Sequence, residues 1–391
     1  MSTLQVEGIR NAAASSDAIT FATNGTCTAK VTNNLSNRNL IINGAMICAQ
    51  RSSSSTSNGY QTVDRFSHFS GGGTTTWSVG TETSGTVWEK GLRKYFRCTN
   101  TANATASGNY REITYKIENQ DLMGSGWNFT SASSKLTLSF WVRASVAQTY
   151  YGRIRWMGDS GGTGDKNFVF STGSLSANTW TKVTVSIPGL SGKTLNDGGS
   201  SADNASLFQL NWSPFQGTDG TASGVALNTW NAYAGASKYP DYTTTWGSTN
   251  GATFDLTGVQ LEVDSTGSGV ATDFEYRTYG DELARCQRYF YKTPYSGYYV
   301  GAGNGSTNMN HTLFHFPVAM RAQPSGMNAV NVLTITSSNY TSSNSKTPSI
   351  AQWCETGAAL NWSGISGATD NRIGAIMLNG ATARLEFDSE L

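Results

Sequence analysis

Apolar and polar residues alternate with a period of two along most of this chain. Lys135 to Ser145 sets Leu136, Leu138, Phe140, Val142 and Ala144 on one face, and Thr181 to Ile187 does the same with Val183, Val185 and Ile187. A two-residue period puts successive side chains on opposite faces, so these stretches read as half-buried strands. Tyr110 to Ile117, Tyr150 to Trp156, Asn167 to Phe170 and Ser206 to Trp212 read the same way, separated by loops such as Gly161 to Gly164 and Gly189 to Asn204. Strands at this spacing, with no helix-length periodic segment between them, predict two packed antiparallel sheets, best matched by a jelly roll.

Phe254 to Tyr291 carries the most structured text. Phe254 and Leu256 share a face; after Gly258 the alternation resumes one residue out of phase at Val259, Leu261 and Val263. A phase change at a glycine is the sequence mark of a β-bulge, which absorbs one extra residue. A Ser/Gly loop, 264–269, follows. Thr278 then precedes Asp281 by three residues, acids stand at Asp281 and Glu282, and Arg285 and Arg288 come later. That order suits a helix capped by Thr278 with its charges matched to the helix dipole. Leu283, Cys286 and Phe290 recur at helical spacing and give it one apolar face.

Beyond the helix, Thr312 to Met320 opposes Leu313, His315 and Pro317 to Phe314, Phe316 and Val318, while Ala329 to Ile335, Ile373 to Leu378 and Thr382 to Phe387 are later strands. Before the main block, Leu4, Val6, Ile9, Ile19, Phe21, Cys27 and Val31 are sparse apolar points. Two short strands fit around the turn Thr23-Asn24-Gly25. So few apolar residues cannot bury a core, so this segment needs a partner. Leu40 to Ile42 enters the main block, Asn43-Gly44 makes a turn, and Thr62 to Phe66 reads as a strand end whose Asp64 and Arg65 face opposite ways. The fold class is therefore all-β: an extended N-terminal segment (1–37), a jelly-roll-like β-sandwich (38–280), and a short helix leading into a smaller C-terminal β-sandwich (281–391).

Composition supports a turn-rich β protein: 43 glycines, 7 prolines, 11% aromatic and 14% charged residues in 391. The net charge of +1 and the lack of a basic run give no argument for nucleic acid or an acidic membrane. No run approaches the ~18 apolar residues of a membrane helix, and Met1 to Arg10 does not read as a signal peptide; the expectation is a soluble, non-secreted protein. The five cysteines, Cys27, Cys48, Cys98, Cys286 and Cys354, are far apart and odd in number. They read as reduced, mostly buried thiols rather than a zinc site or a disulfide framework.

Two stretches carry wording more specific than pattern. GVQLEV followed by FEYRTYGDELARCQRYFY (258–263 and 274–291) is similar to a join found in virion proteins of tailed bacteriophages, notably marine cyanophages. NRNLIINGAMICAQR (37–51), TVDRF (62–66) and FPVAMRAQP (316–324) resemble the same family. The resemblance implies a tail fibre or similar virion appendage, assembled in the host cytoplasm and commonly trimeric, with a central fold shared with many carbohydrate-binding modules. It implies 1–37 as the anchor to other virion proteins and host surface polysaccharide as a partner.

Candidate chemistry is thin. The sequence has no nucleophile elbow, HExxH, P-loop or strand-to-helix GxGxxG. His311 and His315 lie four apart on a strand, about 13 Å, too far to share a metal; His68 stands alone. Glu112, Glu118, Asp121, Asp159, Asp165 and Glu262 are acids that folding could pair at the about 5–9.5 Å of a glycosidase, but no motif marks a pair. The expectation is no catalysis. No cofactor is expected; the loop from Asp159 to Asp165 has two carboxylates for calcium but reads better as a solvated turn. Aromatic rings in polar, loop-like text are the candidates for stacking on sugars. These are Trp212, Trp230, Tyr233, Tyr239, Tyr242 and Trp246, with Tyr295, Tyr298 and Tyr299 as a second cluster. The rival roles are a head fibre, decoration or tail-scaffold protein without receptor binding, and a polysaccharide depolymerase, against which the lack of short regular repeats argues.

Overall fold

The structure is a computed structural model that describes residues 6–13, 17–25, 27–29, 37–157, 164–193, 195, 205–264, 267–293, 297–304, 308–330, 333–336, 348–363, 373–378 and 384–391. Three short strands open it: β1 (Gly8–Ile9), β2 (Ile19–Phe21) and β3 (Cys27–Ala29) form an antiparallel sheet in that order. The turn between β2 and β3 runs through Gly25 at φ 84°, the left-handed conformation that an Asn-Gly turn supplies. Val6, Ile9 and Phe21 remain exposed.

The central body is a sandwich of two six-stranded antiparallel sheets. In chain order its strands are β4 (Ser54–Ser55), β5 (Phe66–Gly71), β6 (Thr75–Thr81), β7 (Lys94–Asn100), β8 (Tyr110–Ile117), β9 (Lys135–Ala144) and β10 (Thr149–Trp156). They continue with β11 (Lys166–Ser174), β12 (Thr181–Pro188), β13 (Phe208–Gln216), β14 (Trp230–Ala232) and β15 (Thr253–Asp264). Sheet I runs β14-β11-β10-β13-β8-β5 and sheet II runs β12-β9-β15-β7-β6-β4. The chain passes repeatedly between the two sheets, in the manner of a jelly roll. The inward set predicted for β9 and β12 is the observed one: Leu136, Leu138, Phe140, Val142 and Ala144 are fully buried, and Val183, Val185 and Ile187 join the same core. Burying a side chain of this size stabilises by roughly 1.5–3 kcal/mol, and this shared interior holds the two sheets together.

β15 is central to sheet II, and its bulge lies where the sequence put it. The register slips between Thr257 and Gln260, and Gly258 has φ 59°. Before the bulge β15 pairs with β7; beyond it, residues 39–44 take over that edge. Leu40 N donates to Leu261 O (2.8 Å), and Val259 N donates to Gly44 O (3.0 Å). A Cβ on Gly44 would overlap the Val259 carbonyl oxygen. The glycine of the Asn43-Gly44 turn is therefore dictated by the bulge. Thr62 to Arg65 is a turn rather than the expected strand end, and β5 begins only at Phe66. Arg65 has φ 72°, a conformation incompatible with an extended strand.

The helix spans Tyr279–Gln287, with Thr278 accepting from Asp281 N as the sequence anticipates. The C-terminal block holds β16 (Phe290–Lys292), β17 (Gly297–Asn304), β18 (Asn308–His315), β19 (Gly326–Val330), β20 (Leu333–Thr336), β21 (Ser349–Cys354), β22 (Gly357–Ser363), β23 (Ile373–Leu378) and β24 (Arg384–Asp388). A three-stranded sheet, β16-β24-β19, faces a six-stranded one, β20-β23-β17-β18-β22-β21. Phe314, Phe316, Leu360, Trp362, Leu385 and Phe387 form its core. The predicted single strand over 329–335 is divided: β19 and β20 belong to different sheets, a change of partner that alternation cannot reveal. Among the described residues no helix is long and apolar enough to cross a membrane.

Candidate functional site

The outward face of sheet I is polar, and register explains how. Arg153 on β10 stands beside Asn211 on β13, Asn211 beside Thr114 on β8, and Thr114 beside Ser67 on β5. Glu112, also on β8, joins this row. Its carboxylate accepts from Arg153 Nη2 (3.2 Å), Asn211 Nδ2 (2.6 Å) and the Tyr239 hydroxyl (3.1 Å). Arg153 Nε donates to the Tyr239 oxygen at 3.2 Å, and Asn211 Nδ2 also reaches Thr114 Oγ1 at 2.7 Å. Tyr239 arrives on the segment 217–246, which folds back over this face. Its hydroxyl is pushed well above the usual tyrosine range by burial and by the Glu112 charge, so it is a donor at neutral pH. Burial works against the Arg153 charge, but Glu112 and the tyrosines around it raise its pKa, so it stays cationic. The Tyr233 ring lies under the Arg155 guanidinium at 4.2 Å, and Arg155 is held by Asp165 at 2.9 Å.

Hydrogen-bonding capacity on this face is not used up. Arg153 Nη1, Asn211 Oδ1 and Asn167 Oδ1 are buried and have no partner among the described residues. A buried unpaired polar atom costs about 1–3 kcal/mol, and these three lie shut away from solvent, so the surface open to a ligand is the rim beside them. At the open side of the face, Phe69 is exposed and Glu112, Gln209 and Lys116 are half-buried.

The predicted sugar-contacting rings divide. Trp212 is a core residue, 1% exposed, packed against Phe140 and Phe66. Its polar neighbours on β13 are simply the outward half of an alternating strand. Trp246 is fully buried in the sandwich interior, its indole donating to Thr253 O (3.1 Å). Tyr239 is fully buried and acts through its hydroxyl. None of these three offers a ring face to a ligand. Trp230 is half-buried and closes the core edge, tilted or edge-on to Trp156, Phe168 and Phe208, with its indole on Pro188 O (2.8 Å). Tyr233 and Tyr242 are half-buried on the roofing segment; Tyr242 donates to Ser213 O at 2.8 Å. Tyr298 and Tyr299 lie on β17, whose side chains there are outside the described residues, as is Tyr295 altogether.

Asp159, half of the calcium reading, lies outside the described residues, and the Asp165 carboxylate is engaged by Arg155. The other acids are also tied to cations: Glu118 to Arg288 (3.1 Å) and Glu262 to Arg38 (3.2 Å). Burial and the neighbouring Glu118 raise Asp121. Cys48, Cys98 and Cys286 are buried as expected, whereas Cys27 and Cys354 are exposed.

Sequence reading named Glu112 only among possible acids and did not name Arg153, Asn211 or Asn167. Their signal was present: charged or amide residues at the outward positions of central strands, where an open sheet face usually carries Thr and Ser. What joins them is cross-strand register, which is not local.

No protein-family model matches the chain, and no curated protein matches it. Among solved structures it is similar to the enzymatically active domain of tailspike protein 4 of bacteriophage CBA120, at 13% identity and a TM-score of 0.30, covering 58% of this chain and 22% of that one. The family 11 carbohydrate-binding module of the Clostridium thermocellum cellulase Lic26A-Cel5E aligns at 14% identity and a TM-score of 0.26, covering 54% and 95%. The xylan-binding CBM22-2 domain of Paenibacillus barcinonensis Xyn10C aligns at 12% and 0.28, covering 50% and 91%.

Proposed function

We propose that this protein is a non-catalytic, glycan-binding appendage of a bacteriophage virion. One observation carries the binding reading: the polar row Glu112, Arg153 and Asn211 on the outward face of sheet I, rimmed by exposed Phe69 and half-buried Glu112, Gln209 and Lys116. Sugar hydroxyls donate and accept at once, so a carboxylate, a guanidinium and an amide side by side suit a vicinal diol, and Tyr233 and Phe69 offer apolar surface to a ring. The virion reading rests on the resemblance of 37–51, 62–66, 258–263, 274–291 and 316–324 to tailed-phage virion proteins. In this reading the chain assembles in the host cytoplasm, joins the particle through residues 1–37, and forms a homotrimer. The exposed Val6, Ile9 and Phe21 of the small N-terminal sheet are apolar points that companion chains would cover.

Binding of the full chain to a glycan array and to host envelope polysaccharide tests this. The expected result is binding that Tyr233→Ala and Asn211→Ala each weaken tenfold or more. Absence of binding to any glycan would favour a decoration or scaffold role. Release of reducing ends from the polysaccharide would make the protein a depolymerase.

A further inference from the structure

The opposite face of the sandwich carries a second constellation, which no loop from 217–246 covers. On the outward side of sheet II, register aligns Arg97 of β7, Asp255 of β15 and Arg143 of β9 in one row. Asp255 is fully buried although it lies on an outer face. Arg97 grips it with Nε at 2.7 Å and Nη2 at 2.9 Å, and Arg143 with Nε at 2.9 Å and Nη2 at 2.8 Å. One carboxylate thus locks two guanidinium groups in place, and Arg97 keeps 32% of its side chain exposed with Nη1 turned to no partner among the described residues. Aromatic rings surround the row. Arg143 lies over the Trp180 ring at 4.5 Å and the Tyr95 ring at 5.1 Å, and Glu82 ties Arg143 (3.3 Å) and the Trp180 indole (3.4 Å) together. Trp180 and Trp141 are both half-buried, and Lys182 stands directly across from Trp141. Arg97, Arg143 and Lys182 therefore face Glu82 and Asp255, a local cationic excess on a chain whose net charge is only +1.

We infer that this face is a binding site for an anionic saccharide, a chain whose sugars carry carboxylate or sulfate groups. A guanidinium fixed by a buried carboxylate presents its free edge without losing side-chain entropy on binding, and it pairs with planar oxyanions better than a lysine does. The accessible parts of the half-buried indoles supply the flat apolar surface that a sugar ring covers. Charge complementarity selects the occupant: a neutral saccharide gains nothing from the charges of Arg97 and Lys182, and a cationic partner is repelled. The inference takes its ligand class from the glycan-binding reading but uses none of the residues on sheet I.

The test titrates the full chain with an oligogalacturonate hexamer and with neutral xylohexaose, following heat and tryptophan fluorescence. The expected result is saturable binding of the uronate, at least fivefold weaker when salt rises from 50 to 300 mM. Trp180→Ala and Lys182→Glu, both at solvent-facing positions, should each weaken it fivefold or more with thermal unfolding unchanged, while Tyr233→Ala leaves it intact. If the uronate binds but only Tyr233→Ala weakens it, or if xylohexaose binds equally well, the sheet II assignment is wrong and the glycan-binding reading survives. If neither sugar binds and arrays of other glycans are also silent, both fall together.

Discussion

His68 shows how one residue can be polar in name and core in practice. Its ring is fully buried, stacked on Trp77 at 4.6 Å and edge-on to Phe96 at 5.6 Å. Nε2 donates to Ser57 O at 2.9 Å, and Nδ1 has no partner. Protonation would place an uncompensated N–H among aromatic rings, so burial lowers its pKa to about 4. The sign follows: the unfolded chain takes up the proton near pH 6.5 and the folded chain only near 4. Stability from this group is present above 6.5 and lost as pH falls toward 4, by roughly 3 kcal/mol. His68→Phe keeps the stacking and removes the titration. Urea midpoints at pH 7 and 4.5 should show the variant gaining on the wild type as pH falls; a pH-independent difference would refute it. Buried Asp64 works in the opposite sense over a similar range, since burial raises it to about 6 and folding then favours its protonated form. The sequence named His68 and Asp64, but only their packing reveals the direction in which each titrates.

At the scale of elements, the bulge in β15 organises the most. It turns Val259, Leu261 and their neighbours back into the core and releases the Val259 peptide to the 39–44 segment. Gly258 sits at φ 59°, and a Cβ there would lie 2.7 Å from Leu92 Cδ1 and 3.0 Å from Trp141 Cδ1. Gly258→Ala should cost about 1–3 kcal/mol, and Gly258→Val more, because the branched side chain tolerates left-handed backbone least. A neutral alanine variant by chemical denaturation would mean that the glycine is incidental. The phase slip at this glycine was legible in the sequence because a bulge is a local counting event. That residues 39–44 receive it was not, since they lie more than two hundred positions away.

At the scale of the whole molecule, the quoted motifs meet at one joint between the sandwich, the helix and the C-terminal block. The Arg65 guanidinium lies over Tyr289 at 3.4 Å and pairs with Glu390; Arg51 covers Phe290 at 3.6 Å and pairs with Asp388 (2.9 Å) and Glu390 (3.3 Å). Arg288 binds Glu118 of the sandwich, Arg321 N donates to Arg288 O (2.7 Å), and Lys116 Nζ reaches Leu391 O (2.7 Å). The wording that resembles virion proteins is thus largely joint wording. Arg65 is 1% exposed, so removing its partner strands a buried charge, at about 3–5 kcal/mol. Glu390→Gln should lower the unfolding temperature and split a single calorimetric transition into two. Arg65→Met combined with Glu390→Met should recover much of the loss, since it removes both charges. If Glu390→Gln unfolds as the wild type does, the joint does not couple the two bodies.

What the chain settles without help from its fold is whatever depends on neighbours in sequence: which positions face inward, where a helix is capped, where one extra residue breaks a strand's phase. Those outcomes follow from backbone geometry, which repeats every two or 3.6 residues. Which strands lie side by side was decided by packing, and with it the meeting of Arg153 with Glu112 and of Arg97 and Arg143 with Asp255. Packing also took Trp212, Tyr239 and Trp246 from the surface, because burying so large a ring outweighs whatever its polar neighbours suggest. Side-chain chemistry is written along the chain; its company is set by contacts across distances the chain cannot encode locally.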